Sequence, residues 1–178
     1  MNNTMRVSIG LVVLCLFDNA LASPTDCRSA NEAIGNSTPS SDFTIHNNGT
    51  VIHHATGLIW MRCSVGQTWK DKSCTGEAST FTWQQAFTQN GTDYAGYSDW
   101  RLPNKNELAS IVEVRCHNPS INEVIFPNTP IAPFWSSTPN ASFSDRAWGV
   151  FFDFGGVGGL YGNKQRNSSY YLRMVRSK

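Results

Sequence analysis

The stretch Gly96-Tyr97-Ser98-Asp99-Trp100-Arg101-Leu102-Pro103-Asn104-Lys105-Asn106-Glu107-Leu108 decides how the middle of this chain folds. Pro103 disfavours helix at Leu102, so a helix must begin after it. Asn104 is a good N-cap, and Glu107, three residues on, can return a bond to the cap amide. Leu108, Ile111 and Val112 follow at helical spacing and give that helix one buried stripe. Asp99 and Glu107 flank Arg101, an arrangement read as a structural ion pair plus a cap rather than an acid–base pair. Trp100, Arg101, Asn104 and Glu107 are therefore expected to hold the fold together.

Upstream, Thr82 with Gln85 repeats the capping-box pattern, Trp83, Ala86 and Phe87 share one helix face, and Asn90-Gly91 ends the helix. Earlier still, Phe43 to His46 and Val51 to His53 flank Asn47-Asn48-Gly49 as a hairpin. His53-His54 reads as a surface feature of that hairpin. Leu58 to Arg62 is a third strand, and Cys63 to Ala78 a glycine-containing loop. Downstream, Pro119, Pro127, Pro130 and Pro133 break any long element. Phe134 to Thr138 is a short strand. Arg146 to Phe154 alternates, with Trp148, Val150, Phe152 and Phe154 on one face, and Trp135 and Trp148 are expected in the core. Gly155 to Gly159 reads as a flexible turn before a strand starting at Leu160-Tyr161. Tyr170 to Arg176 reads as a last strand pairing centrally with the N-terminal strands. No internal repeat is visible.

The ends set the compartment. Arg6, the apolar run Val7 to Phe17 and Ala20-Leu21-Ala22 read as a signal peptide over residues 1–22. No other segment approaches the roughly 20 apolar residues of a membrane span. Residues 23–42 form a polar arm, and 43–178 a single domain. Four cysteines follow the signal segment, an even number that in an exported chain reads as two disulfides with three possible pairings. The short loop favours Cys63–Cys74, which leaves Cys27–Cys116. A zinc site is the alternative, but no pair shows C-x-x-C spacing and no histidine sits at a ligand interval. Net charge is +1, yet no acidic residue follows Asp153 while Lys164, Arg166, Arg173, Arg176 and Lys178 are all basic. That asymmetry points to an anion-facing end.

Around the opening stretch lie Thr56-Gly57-Leu58-Ile59-Trp60, Phe134-Trp135-Ser136-Ser137-Thr138, Ala147-Trp148 and Leu172-Arg173-Met174-Val175-Arg176. In this order, from about Phe43 to Arg176, they resemble the family named for the C-terminal domain of the Legionella collagen-like adhesin. The Arg-Leu-Pro-x-x-x-Glu core is also similar to the formylglycine-generating enzyme family. The resemblance implies an α+β, C-type-lectin-like fold with two helices, a small antiparallel sheet and long loops. It implies a polyanionic glycan as ligand class, since the named adhesin binds sulfated glycosaminoglycans. That adhesin is a trimer, so a homo-oligomer is compatible with the resemblance, although this chain lacks a collagen-like Gly-x-y tract.

Tests for chemistry return little. Ser136-Ser137 lacks a nucleophile elbow, and the glycine run lacks the Lys-Ser/Thr and helix of a phosphate loop. The cysteines do not match the oxidase pattern. Near-neutral charge and export argue against nucleic acid. Asn163 and Asn167 lack the carboxylates a calcium site needs. No catalytic residue, metal or cofactor is therefore expected. Aromatic rings with planar polar partners suit sugars, and cations suit sulfated ones. The expected function is an exported, periplasmic or extracellular, adhesin-like binding module. Its expected contacts are Tyr161, Lys164 and Arg166, in loops between Ser136 and Tyr171. A surface protein is the alternative partner, and a formylglycine-type oxidase comes third.

Overall fold

A computed structural model describes residues 26–160 and 168–178. The proposed signal peptide, and the segment carrying Tyr161, Asn163, Lys164, Arg166 and Asn167, lie outside the described residues. The architecture is α+β. A four-stranded antiparallel sheet has the order β1 (Phe43–Ile45), β2 (Thr50–His53), β3 (Ile59–Met61), β9 (Val175–Arg176). A hairpin follows, β4 (Thr68–Lys70) with β5 (Ser73–Thr75). Helices α1 (Trp83–Phe87) and α2 (Lys105–Ala109) lead to a second antiparallel sheet, β6 (Pro133–Pro139), β7 (Ala147–Phe151) and β8 (Gly156–Leu160).

Strand β3 of the first sheet and the first half of β6 in the second are buried on both faces. Trp60 of β3 joins Val51, Leu108, Ile111, Phe126, Phe134, Val150 and Val175 in one cluster. Its neighbours Ile59 and Met61 face a second cluster with Trp100, Leu102, Trp135, Leu160, Leu172 and Met174. The period-two switch of side chains across a strand explains this sorting. Such strands read as apolar runs, as Leu58-Ile59-Trp60-Met61 does.

Both helix caps form complete capping boxes, at Thr82 with Gln85 and at Asn104 with Glu107. The helix α2 is shorter than its apolar spacing predicts. The Ser110 hydroxyl donates to the Glu107 carbonyl (2.7 Å), and Val112 N–H reaches back only three residues, to Ala109 O (3.1 Å). Ile111 and Val112 are still buried, but from the turn that follows the helix.

Two expected loops are strands instead. Residues 63–78 contain the β4–β5 hairpin, whose turn puts Asp71 and Lys72 at φ 51° and 62°. That is the left-handed turn geometry usually marked by Asn-Gly, a cue absent here. The glycines of 156–159 form β8, paired along its length with β7. Glycine is a poor strand former in general, but aromatic rings cover this strand. A Cβ at Gly156 would lie 2.2 Å from the Phe154 ring. The last strand is also shorter than expected. Tyr170 and Tyr171 make single bridges to Phe81 and Phe134, and β9 is the terminal strand of its sheet, bridged on its other side by Arg101.

The described part of the arm, from residue 26 on, is tied down. Cys27 is bonded to Cys116, and Cys63 to Cys74. The buried Glu113 carboxylate accepts from the backbone amides and hydroxyls of Ser37 and Thr38. Burial pushes its pKa up, but those donors and the Arg115 amide outweigh burial and leave it lowered. A carboxylate so satisfied is stable without a cation.

Candidate functional site

The Arg-Leu-Pro stretch is an anchor. Arg101 makes two bonds of 2.8 Å to the Glu107 carboxylate, while its backbone pairs with Val175. Glu107 also accepts from the Asn104 amide, so one carboxylate joins helix cap, ion pair and last strand. Its pKa is lowered first by the Arg101 hydrogen bonds. Asp99, read beside Arg101 in the sequence, instead accepts from Arg176 Nε (2.6 Å), whose guanidinium lies 4.0 Å from the Tyr97 ring centre. Trp100 is buried, with its indole N–H on Tyr94 O.

Two surface regions offer binding chemistry. The first lies at the end of the second sheet. Trp135 is fully buried, but Trp148 is only half-buried, contrary to the expectation that both fill the core. Trp148 pairs with Gly159, which supplies no side chain to cover it. A Cβ there would meet Asn140 Nδ2 at 3.1 Å. Lys105 Nζ lies 5.4 Å from the Trp148 ring centre, held from α2, and Arg146 lies over Phe143 (4.2 Å) and 3.9 Å from Asp145. Phe154 leaves the expected alternation altogether. It follows the end of β7, is 65% exposed and stacks on Phe151.

The second region is a cleft of about 580 Å³ between β5 and the loop 128–132, with Glu77, Ile131 and Tyr171 on its walls. Beneath its loop lies Arg173, fully buried, which donates to the carbonyls of Met61 and Arg62 and to Thr129 Oγ1 (2.7 Å). Burial, then the nearby Arg62 charge, pulls its pKa down to about 9, so it stays charged at neutral pH. Arg62 is buried too and donates to Ile125 O and Val124 O (2.7 Å each).

The model of the Lcl C-terminal domain matches residues 49–176. The chain belongs to the Lcl C-terminal domain family. Among curated proteins, none matches it. The family suggests an adhesin-like extracellular module, and with the two disulfides it suggests an extracellular or periplasmic location. No helix among the described residues is long and apolar enough to cross a membrane. Nor is any group of three or more His, Cys, Asp or Glu among them placed to hold a metal ion.

Within this Lcl C-terminal domain, several residues take places that spacing alone does not give them. His53 is buried and stacked on Phe43 (4.7 Å) rather than on the surface, because β2 has both faces covered. Burial lowers its pKa. Lys105 carries no sequence signal beyond its place next to a cap. Glu77 and Tyr171, over 90 residues apart in the chain, become neighbours only through the fold.

Proposed function

We propose that this Lcl C-terminal domain is a non-catalytic recognition module that binds a sulfated or other polyanionic glycan at the Trp148 end of its second sheet. The observation that carries this reading is the half-buried Trp148 with Lys105 over its ring, at the strand end where Leu160 leads into Tyr161, Lys164 and Arg166. An aromatic face beside cations suits a sulfated sugar, because the ring takes the apolar face and the ammonium groups take the sulfates. The four described cysteines are all in disulfides, which supports binding over thiol-based oxidation. A C-type-lectin-like relation remains part of this reading. The experiment is a glycan array followed by heparin retention across a salt series. Retention that falls with salt supports the reading, since exposed charges are screened over about 8–10 Å near physiological ionic strength. No heparin binding at low salt overturns it.

One observation favours a second reading, a protein receptor. Phe154 stacks on Phe151 beside the end of β7 and is exposed. A Phe154→Ser variant that lost cell-surface binding while keeping heparin retention would establish it.

A further inference from the structure

We infer that the cleft between β5 and residues 128–132 is a separate site for an uncharged pyranose, distinct from the polyanion surface. Its volume of about 580 Å³ lies within the ~300–1,000 Å³ of small-molecule sites. The walls are built before any ligand arrives. Asn128, at φ 53°, sends its amide N–H groups to Cys74 O (2.7 Å) and Ser73 Oγ (3.2 Å). Gln67 Nε2 donates to Asn128 O (3.1 Å). Arg173 holds the neighbouring Thr129 from below, and the Cys63–Cys74 bond fixes the opposite wall. Loop and hairpin are thus held at a set separation, which cuts the ordering cost of binding.

The groups left for a ligand are few and specific. The Gln67 amide and the N–H groups of Asn128 are spent on the walls. Among the described residues, neither the Glu77 carboxylate nor the Tyr171 hydroxyl has a hydrogen-bond partner or ion pair. Among the described residues, Glu77 is the one charged residue of the lining. A sulfate or carboxylate on the ligand would meet only like charge. The remaining choice is between a cation and a hydroxyl-bearing ring. An exposed carboxylate gives a cation only about 0–1 kcal/mol. A flexible ammonium chain would also lose rotamer freedom in a broad cleft. A pyranose is rigid, its apolar face suits the Tyr171 ring and Ile131, and a carboxylate accepts strongly from hydroxyl pairs.

The test uses the exported chain and an array of uncharged oligosaccharides ending in glucose, galactose, mannose or N-acetylglucosamine. Hits are then titrated as their methyl glycosides. At least one should bind with an affinity indifferent to salt. Glu77→Ala should weaken it by roughly three- to fivefold, as loss of a hydrogen bond to an exposed carboxylate implies. Tyr171→Phe keeps the ring and should cost a smaller factor. Heparin retention of Glu77→Ala should stay at the wild-type value. Because Glu77 is exposed, the fold is not at stake. No uncharged sugar bound, binding unaffected by Glu77→Ala, or stronger capture of a lysine-rich peptide than of any sugar would each overturn the inference. Loss of heparin retention in Glu77→Ala would show one site rather than two. Sugar binding without heparin binding would sink the polyanion reading and leave this one standing.

Discussion

The Trp148 face and the Tyr171 cleft both present an aromatic ring among polar groups, but their charges differ in sign. Lys105 lies over Trp148 and Arg146 stands near Gly159, the strand partner of Trp148, whereas Glu77 alone among the described residues carries charge in the cleft. The difference shows how this domain uses its basic residues. Every arginine among the described residues is engaged. Arg28, Arg101, Arg115 and Arg176 face carboxylates, Arg146 lies by Asp145 and Phe143, and Arg62 and Arg173 are buried on backbone carbonyls. Guanidinium suits that work, because its planar fork satisfies several acceptors at once. Cations for a ligand are then mainly lysines. Two of them, Lys70 and Lys72, stand at the β4–β5 turn.

Removing the brace of the cleft should have the largest effect on stability. Cys63→Ser with Cys74→Ser opens a loop with a sequence separation of 11 and should cost about 3 kcal/mol in a denaturant titration. It should abolish sugar binding in the cleft while the folded fraction still retains heparin. Equal loss at both surfaces would break the comparison.

Acid should come next. Stability from Glu107 and Glu113 is present above their unfolded pKa, about 4.5, and is lost as pH falls through their lower folded values. His53, lowered by burial, begins the loss earlier, as pH falls below 6.5 and the unfolded chain takes up the proton. Melting temperature should therefore fall from about pH 6.5 downward and steepen below 4.5. Glu113→Gln should be less stable at pH 7 and show a shallower acid decline. An unchanged slope would remove Glu113 from the account.

Asn104→Ala should cost about 0.5–2 kcal/mol, because it removes the acceptor for the Asn106 and Glu107 amides. Retention per folded molecule should be unchanged, which separates the anchor from the binding face. The smallest effect on stability belongs to Lys164→Ala with Arg166→Ala. Melting temperature should hardly move, while heparin elutes at lower salt and its salt dependence flattens. Unaltered retention would shift the site, with Lys70 and Lys72 the first alternative.

What was legible in the sequence was local. Both capping boxes, the first hairpin and the short strand at Leu58 to Arg62 follow from residue type and spacing, because their bonds span three or four residues or one turn. The Cys63–Cys74 loop is short enough to belong with them. The rest depends on contacts that spacing does not carry. Gly156 to Leu160 is a strand because Phe151 and Phe154 fold over it, and Trp148 stays half-buried because Gly159 lies opposite. Arg173 is expected to be shielded by its place in the last strand, but its seat among the carbonyls of Met61 and Arg62 comes only from the fold. The cleft is invisible in sequence because its walls come from residues 67–78, 128–132 and 171.

The central claim is that charge sorts the two surfaces, and mapping one polyanion onto the backbone tests it most directly. Amide and indole shifts should be followed by NMR while a heparin hexasaccharide is added to the 15N-labelled domain. The account predicts changes at the Trp148 indole, Lys105, Asn140 and residues 161–166, and none at Thr75 to Ala78 or Tyr171. Changes centred on the cleft or on Lys70 to Lys72, with Trp148 silent, would contradict it.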